Sequence, residues 1–125
     1  MHKILIIDDE KEVVSLLKDF FSSRNYEVVS APDGSEGLKK VETEKPDLVL
    51  CDIKMPEKDG FQFLKELRAT MQWIPVVIVS ALTDPTSILK GYGLDADYYI
   101  TKPINLEECL KVVRIMISLA PLRKK

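Results

Sequence analysis

Cysteine is scarce in this chain, 2 among 125 residues, and Cys51 and Cys109 fall in no metal-ligand or CxxC spacing. That removes the usual grounds for a zinc site or a redox motif and leaves two inert core thiols in a reducing cytoplasm. A basic excess is missing as well: 18 Lys and Arg stand against 20 Asp and Glu, for a net charge of -2. Direct nucleic-acid binding normally carries a basic footprint, so none is expected of this chain. No apolar run is long enough to span a bilayer, and Met1-His2-Lys3 enters a strand-like run with no signal-peptide pattern. Membrane association is not expected. Internal repeats and low-complexity segments are lacking too. What remains is an ordinary globular composition, 46% hydrophobic and 30% charged. At this length it suits one domain that buries about two-thirds of its unfolded surface.

The chain is organised around the stretch from Leu48 to Gly60, LVLCDIKMPEKDG. A short apolar run bounded by proline and glycine reads as a buried strand, and Asp52 surfaces at its carboxyl end. Lys3 to Ile7 is a similar run and ends in Asp8-Asp9-Glu10. A helix N-terminus would account for one of these adjacent acids better than for three. Helical spacing follows from Lys11 to Arg24, through Val13, Leu17 and Phe20. Tyr26 to Val29 reads as a second strand, Pro32-Asp33-Gly34 as a turn, and Ser35 to about Glu44 as a helix with Leu38 and Val41 inward. Beyond Gly60, a third helix carries Phe61, Leu64, Leu67 and Met71, and Val76 to Ser80 is a fourth strand ending in a hydroxyl. Asp84 and Pro85 open a weakly specified helix that Gly91 and Gly93 end. Ala96 to Ile100 is a fifth strand, followed by Thr101-Lys102-Pro103. Asn105 caps a last helix with Leu106, Leu110, Val113 and Ile117 inward, which Pro121 stops.

Five such βα units predict a parallel sheet with helices on both faces, in the flavodoxin-like strand order 2-1-3-4-5. That order places Asp8, Asp9, Asp52, Ser80 and Lys102 along one edge, with the first and third strands flanking the switch point. Taken singly, Lys102 is a surface lysine, Ser80 a strand-end cap and Asp52 a turn acid; their convergence is what points to chemistry. Crowded carboxylates raise one another's pKa or recruit a cation, and hard oxygen ligands suit Mg²⁺. Asp52 is then a candidate nucleophile toward phosphorus, with Lys102 neutralising one phosphoryl oxygen and Ser80 donating a hydrogen bond to another.

From Lys3 to Leu119 the chain resembles the receiver domain of bacterial two-component response regulators. The resemblance rests on Asp8-Asp9, on Asp52 within LVLCDIKMPEKDG, on Ser80-Ala81, and on Tyr99-Ile100-Thr101-Lys102-Pro103. It implies that Asp52 accepts a phosphoryl group from a sensor histidine kinase or a phosphotransfer protein. It implies that Asp9, Asp8 (partly through water), Asp52 and the backbone carbonyl of Lys54 hold Mg²⁺. Ser80 and Tyr99 match the family's switch pair, although Tyr99 alone would read as an ordinary strand residue. The fourth helix, fifth strand and last helix correspond to the partner surface, and homodimerisation on phosphorylation is compatible with it. Residues 1–120 are expected to form the receiver domain and 121–125 a polar tail or the start of a linker. The chain is thus either a stand-alone receiver or one cut from a longer regulator with an output domain.

Two departures from the family stand out. Asp95 precedes Ala96-Asp97 where the family usually has glycine. Lys54 and Leu82 occupy positions that tune hydrolysis of the phosphoryl group, and neither suits a water nucleophile, which implies slow self-dephosphorylation. A dehalogenase-like phosphohydrolase would need an acid two residues after Asp52, where Lys54 stands. A phosphorylation-independent binding module would usually lack one of the acids or the lysine. Flavin binding is disfavoured because acids after the first strand repel phosphate.

Overall fold

The computed structural model describes residues 1–54, 59–70, 73–81 and 85–122. Short runs rich in apolar residues form the strands β1 (Lys3–Ile7), β2 (Glu27–Ala31), β3 (Leu48–Cys51), β4 (Val76–Ser80) and β5 (Tyr98–Thr101), all but β2 ending in or just before a polar residue. Between and after them lie α1 (Lys11–Ser22), α2 (Gly34–Glu44), α3 (Gly60–Ala69), α4 (Pro85–Gly93) and α5 (Leu106–Leu119), with a 3-10 turn at Ala120–Leu122. Every strand pair is parallel and the order is β2-β1-β3-β4-β5, as the alternation predicts.

Both faces of the sheet are covered, because residues alternate along each strand. Leu5, Ile7, Val49, Cys51 and Ile78 pack with Val41, Phe63, Leu64 and Leu67 on the α2/α3/α4 side. Ile4, Ile6, Leu48, Leu50, Val77 and Val79 pack with Leu17, Phe21, Cys109, Leu110 and Val113 on the α1/α5 side. Cys51 and Cys109 are buried free thiols in opposite cores. Asp33, Asp59 and Asn105 cap α2, α3 and α5, each accepting the backbone N–H three residues on.

Two strands differ in extent from the sequence reading. β2 runs on to Ala31 because Ser30 and Ala31 pair with Ile6 and Ile7. β5 starts only at Tyr98, since the Asp97 carboxylate turns back to accept the Val76 N–H at 2.8 Å and the Arg68 guanidinium at 3.0 Å. Asp95, at the departure from the family pattern, has φ 68°, the left-handed conformation that glycine adopts without cost. The expected Met71 helix position, Leu82, the Asp84 cap and the basic end of the tail lie outside the described residues.

Candidate functional site

Parallel pairing brings the carboxyl ends of β1, β3, β4 and β5 to one edge. Asp8 follows β1 and donates its N–H to Ala31 at 3.1 Å, while Asp52 follows β3 and donates to Ile7 at 2.9 Å. These bonds seat both acids where the sheet opens, and each residue is 5% exposed. Ser80 closes β4 and is buried, and its carbonyl accepts the Lys102 N–H at 2.8 Å. That bond directs the Lys102 side chain across the edge. Its Nζ lies 3.3 Å from Asp8 Oδ2, 3.3 Å from Asp52 Oδ2 and 2.7 Å from Glu10 Oε1.

The far wall is set by α3. Gly60 donates its N–H to Ile53 at 2.9 Å, and a Cβ at Gly60 would run into the Asp52 carbonyl oxygen. Only glycine lets the helix start so close to the backbone of Asp52 and Ile53. Lys54 is exposed at the start of that loop, and its N–H faces the Asp52 carboxylate. Ile53 donates to Asp52 Oδ1 at 2.7 Å.

The electrostatics are those of acids held in an expensive place. Burial raises the Asp52 carboxyl above its ordinary pKa, against the Lys102 ammonium and the Ile53 and Lys54 N–H groups. Asp8 is also raised, by burial first and then by the Asp52 charge, although the Glu10 N–H and Lys102 oppose this. Burial works against the charge on Lys102, but Glu10, Asp52 and Asp8 outweigh it, so the ammonium is held above its ordinary value.

Among the described residues, carboxylate oxygens of Asp8, Glu10 and Asp52 lie within 4.8 Å of one another. Three converging oxygen donors, two of them buried, fit a hard divalent cation of the Mg²⁺ kind. Of the acids that follow β1, Asp9 is exposed, while the Glu10 carboxylate reaches into the crevice beside Asp8 and Asp52. The only signal for Glu10 was its membership of the Asp8-Asp9-Glu10 run. Tyr99 is buried in the core beside Ile78 and Gly91, with its ring on the α4 side of the sheet.

An open parallel α/β sheet with buried acids and a lysine at its carboxyl edge defines the flavodoxin-like class of doubly wound domains with a polar site at the switch point. The sequence model of the response regulator receiver domain matches residues 4–114, and the chain belongs to that family. It is 41% identical over 106 residues to the alkaline phosphatase synthesis transcriptional regulatory protein PhoP of Bacillus subtilis, covering 85% of this chain and 44% of that protein. To the transcriptional regulatory protein CpxR of Klebsiella pneumoniae it is 38% identical over 117 residues, covering 94% and 50%. The chain thus spans about half the length of these curated relatives. Among solved structures, the receiver domain of the Francisella response regulator 1452 superposes with a TM-score of 0.90 at 32% identity, covering 94% of this chain and 98% of that one. The BeF3-activated N-terminal receiver domain of Klebsiella pneumoniae RstA gives 0.87 at 30% identity, covering 92% and 97%. The chain is therefore a signalling domain of the two-component type, from a family that works with histidine kinases and output domains. None of its described helices is long and apolar enough to cross a membrane.

Proposed function

We propose that Asp52 is the phosphoacceptor. One observation carries this: the Lys102 ammonium bridges two buried carboxylates, Asp8 and Asp52, at 3.3 Å each, at the carboxyl edge of the sheet. A kinase or phosphotransfer protein presents a phosphohistidine at this edge. An Asp52 carboxylate oxygen attacks phosphorus, the P–N bond breaks with its electron pair left on the imidazole, and an acyl phosphate forms. Asp8, Asp9, Asp52 and the Lys54 carbonyl are the expected holders of Mg²⁺, with Glu10 brought beside them by the fold. When bound, Mg²⁺ supplies charge neutralisation to the transferring group. Lys102 follows the new charge from the carboxylate to a phosphoryl oxygen, and the Ser80 hydroxyl donates to another.

The domain assists its own phosphorylation and dephosphorylation but turns over no external substrate. A phosphoryl group adds roughly -1.5 to -2 charges at the sheet edge. Its pull on Ser80 and Lys102 biases Tyr99 and the α4–β5–α5 surface between two arrangements. That surface binds the downstream protein or output domain, and pairing of two copies there follows phosphorylation. Residues 1–120 form this receiver and 121–125 the polar tail or linker start. The domain acts in the cytoplasm, without contacting nucleic acid or membrane itself.

Intact-mass measurement after incubation with acetyl phosphate tests the reading. A Mg²⁺-dependent phosphoryl adduct is expected on the wild type and not on Asp52→Ala. No adduct on either protein would refute it, and steady phosphate release without an adduct would favour a hydrolase.

A further inference from the structure

The shortest contact of Lys102 is with neither buried acid but with Glu10, at 2.7 Å against 3.3 Å to Asp8 and to Asp52. Glu10 stands at the N-cap of α1, yet its side chain makes no capping hydrogen bond. Its backbone is fixed on both sides: the N–H donates to Asp8 Oδ1 at 2.9 Å and the carbonyl accepts from Val14 at 3.1 Å. The carboxylate, 58% exposed, reaches across the mouth of the crevice to an ammonium that is 14% exposed. A residue placed to cap a helix has its side chain committed elsewhere.

We infer that Glu10 is a positioning residue that holds Lys102 at the mouth of the crevice in the unphosphorylated domain and competes with the phosphoryl group for it. This rests on Asp52 being the phosphoacceptor. An anion arriving on Asp52 needs the lysine that Glu10 holds and meets the negative charge of Glu10 at short range. Glu10 thereby raises the threshold for activation, and its removal lowers that threshold.

The probe is beryllofluoride, a phosphoryl mimic that binds without covalent transfer, titrated calorimetrically at saturating Mg²⁺. Glu10→Gln is expected to bind it roughly three- to tenfold tighter than the wild type, the size set by one exposed charge a few ångströms from an anion. Glu12→Gln, which removes the same charge from the exposed first turn of α1, serves as control and stays within about twofold of wild type. The Lys102 Cε NMR signal, assigned with Lys102→Arg, is expected to shift in Glu10→Gln and not in Glu12→Gln, which a purely structural role would not produce. Equal affinity in Glu10→Gln and wild type, equal gains in both Gln variants, or an unmoved Lys102 signal would each overturn the inference and leave Asp52 as phosphoacceptor standing. A wild type that binds no beryllofluoride would overturn the phosphoacceptor reading, and this inference with it.

Discussion

Replacing Asp52 by asparagine is expected to stabilise the metal-free domain while abolishing its activity. The side chain keeps its shape and its oxygen can still accept the Ile53 N–H, so the change is chiefly one of charge. At an effective dielectric near 20, losing the 3.3 Å attraction to Lys102 costs about 5 kcal/mol. Relief of repulsion from Asp8 and Glu10, both within 4.8 Å, returns about 4 to 7 kcal/mol, the lower figure allowing for solvent screening of exposed Glu10. A carboxylate that is 6% exposed also bears a desolvation cost that the amide does not, of order several kcal/mol. The balance favours asparagine by at least about 2 kcal/mol, or a melting midpoint higher by roughly 6 °C or more. The pH dependence follows from the same charges. Asp8 and Asp52 are raised in the folded state, so the fold binds more protons than the unfolded chain just above the ordinary carboxylate range. Their contribution therefore falls as pH rises from the unfolded value of 3.8 through the raised folded values, and Asp52→Asn flattens that fall. Thermal melts in EDTA at several pH values measure this, and Mg²⁺ should close the gap by stabilising the wild type more than the variant. An asparagine variant that melts lower in EDTA, or Mg²⁺ raising both midpoints equally, would refute the reasoning.

Asp95→Gly is expected to add about 0.5–1 kcal/mol in urea unfolding, because the residue sits at φ 68° and the Arg68 contacts are to its carbonyl, which is kept. Unchanged or lower stability would mean that the aspartate side chain contributes there. Arg68→Ala should cost about 3 kcal/mol, since the guanidinium serves the Asp95 and Ile74 carbonyls and the Asp97 carboxylate from a buried position. Arg68→Lys should recover less than half of this, having no planar fork; full recovery would reduce the network to a point charge. Phosphorylated Lys54→Asn, Leu82→Glu should lose its phosphoryl group faster than the wild type, followed by intact mass after removal of the donor. An equal or longer lifetime would refute the expectation that these two side chains slow hydrolysis.

Most of this architecture was legible because four of the five strands are short apolar runs closed by a polar residue, and most connections are marked by proline, glycine or a capping side chain. Asp52, Ser80 and Lys102 could be placed on one edge from strand parity and parallel order alone. Phe63 was not recognised as core, because the helical stripe through Phe61, Leu64 and Leu67 appeared complete without it, yet it is fully buried against the sheet. The extent of β2 depends on pairing with β1, which no local pattern in Ser30-Ala31 announces.

That Glu10 joins Asp8 and Asp52 at the crevice was illegible for a more specific reason. Strand periodicity assigns sides only as far as Ile7, and helical periodicity only from Lys11. The residues between obey neither, and their directions are set by one tertiary bond and one local one. Asp8 is tied to Ala31 of the neighbouring strand, and its carboxylate then accepts the Glu10 N–H. That turn leaves Asp9 exposed and delivers the Glu10 carboxylate to Lys102. Three adjacent acids differ little in composition or propensity, so their roles separate only when the sheet has formed. A site assembled at strand ends can therefore be located from sequence to within a residue or two, while the division of labour among neighbouring acids belongs to the fold.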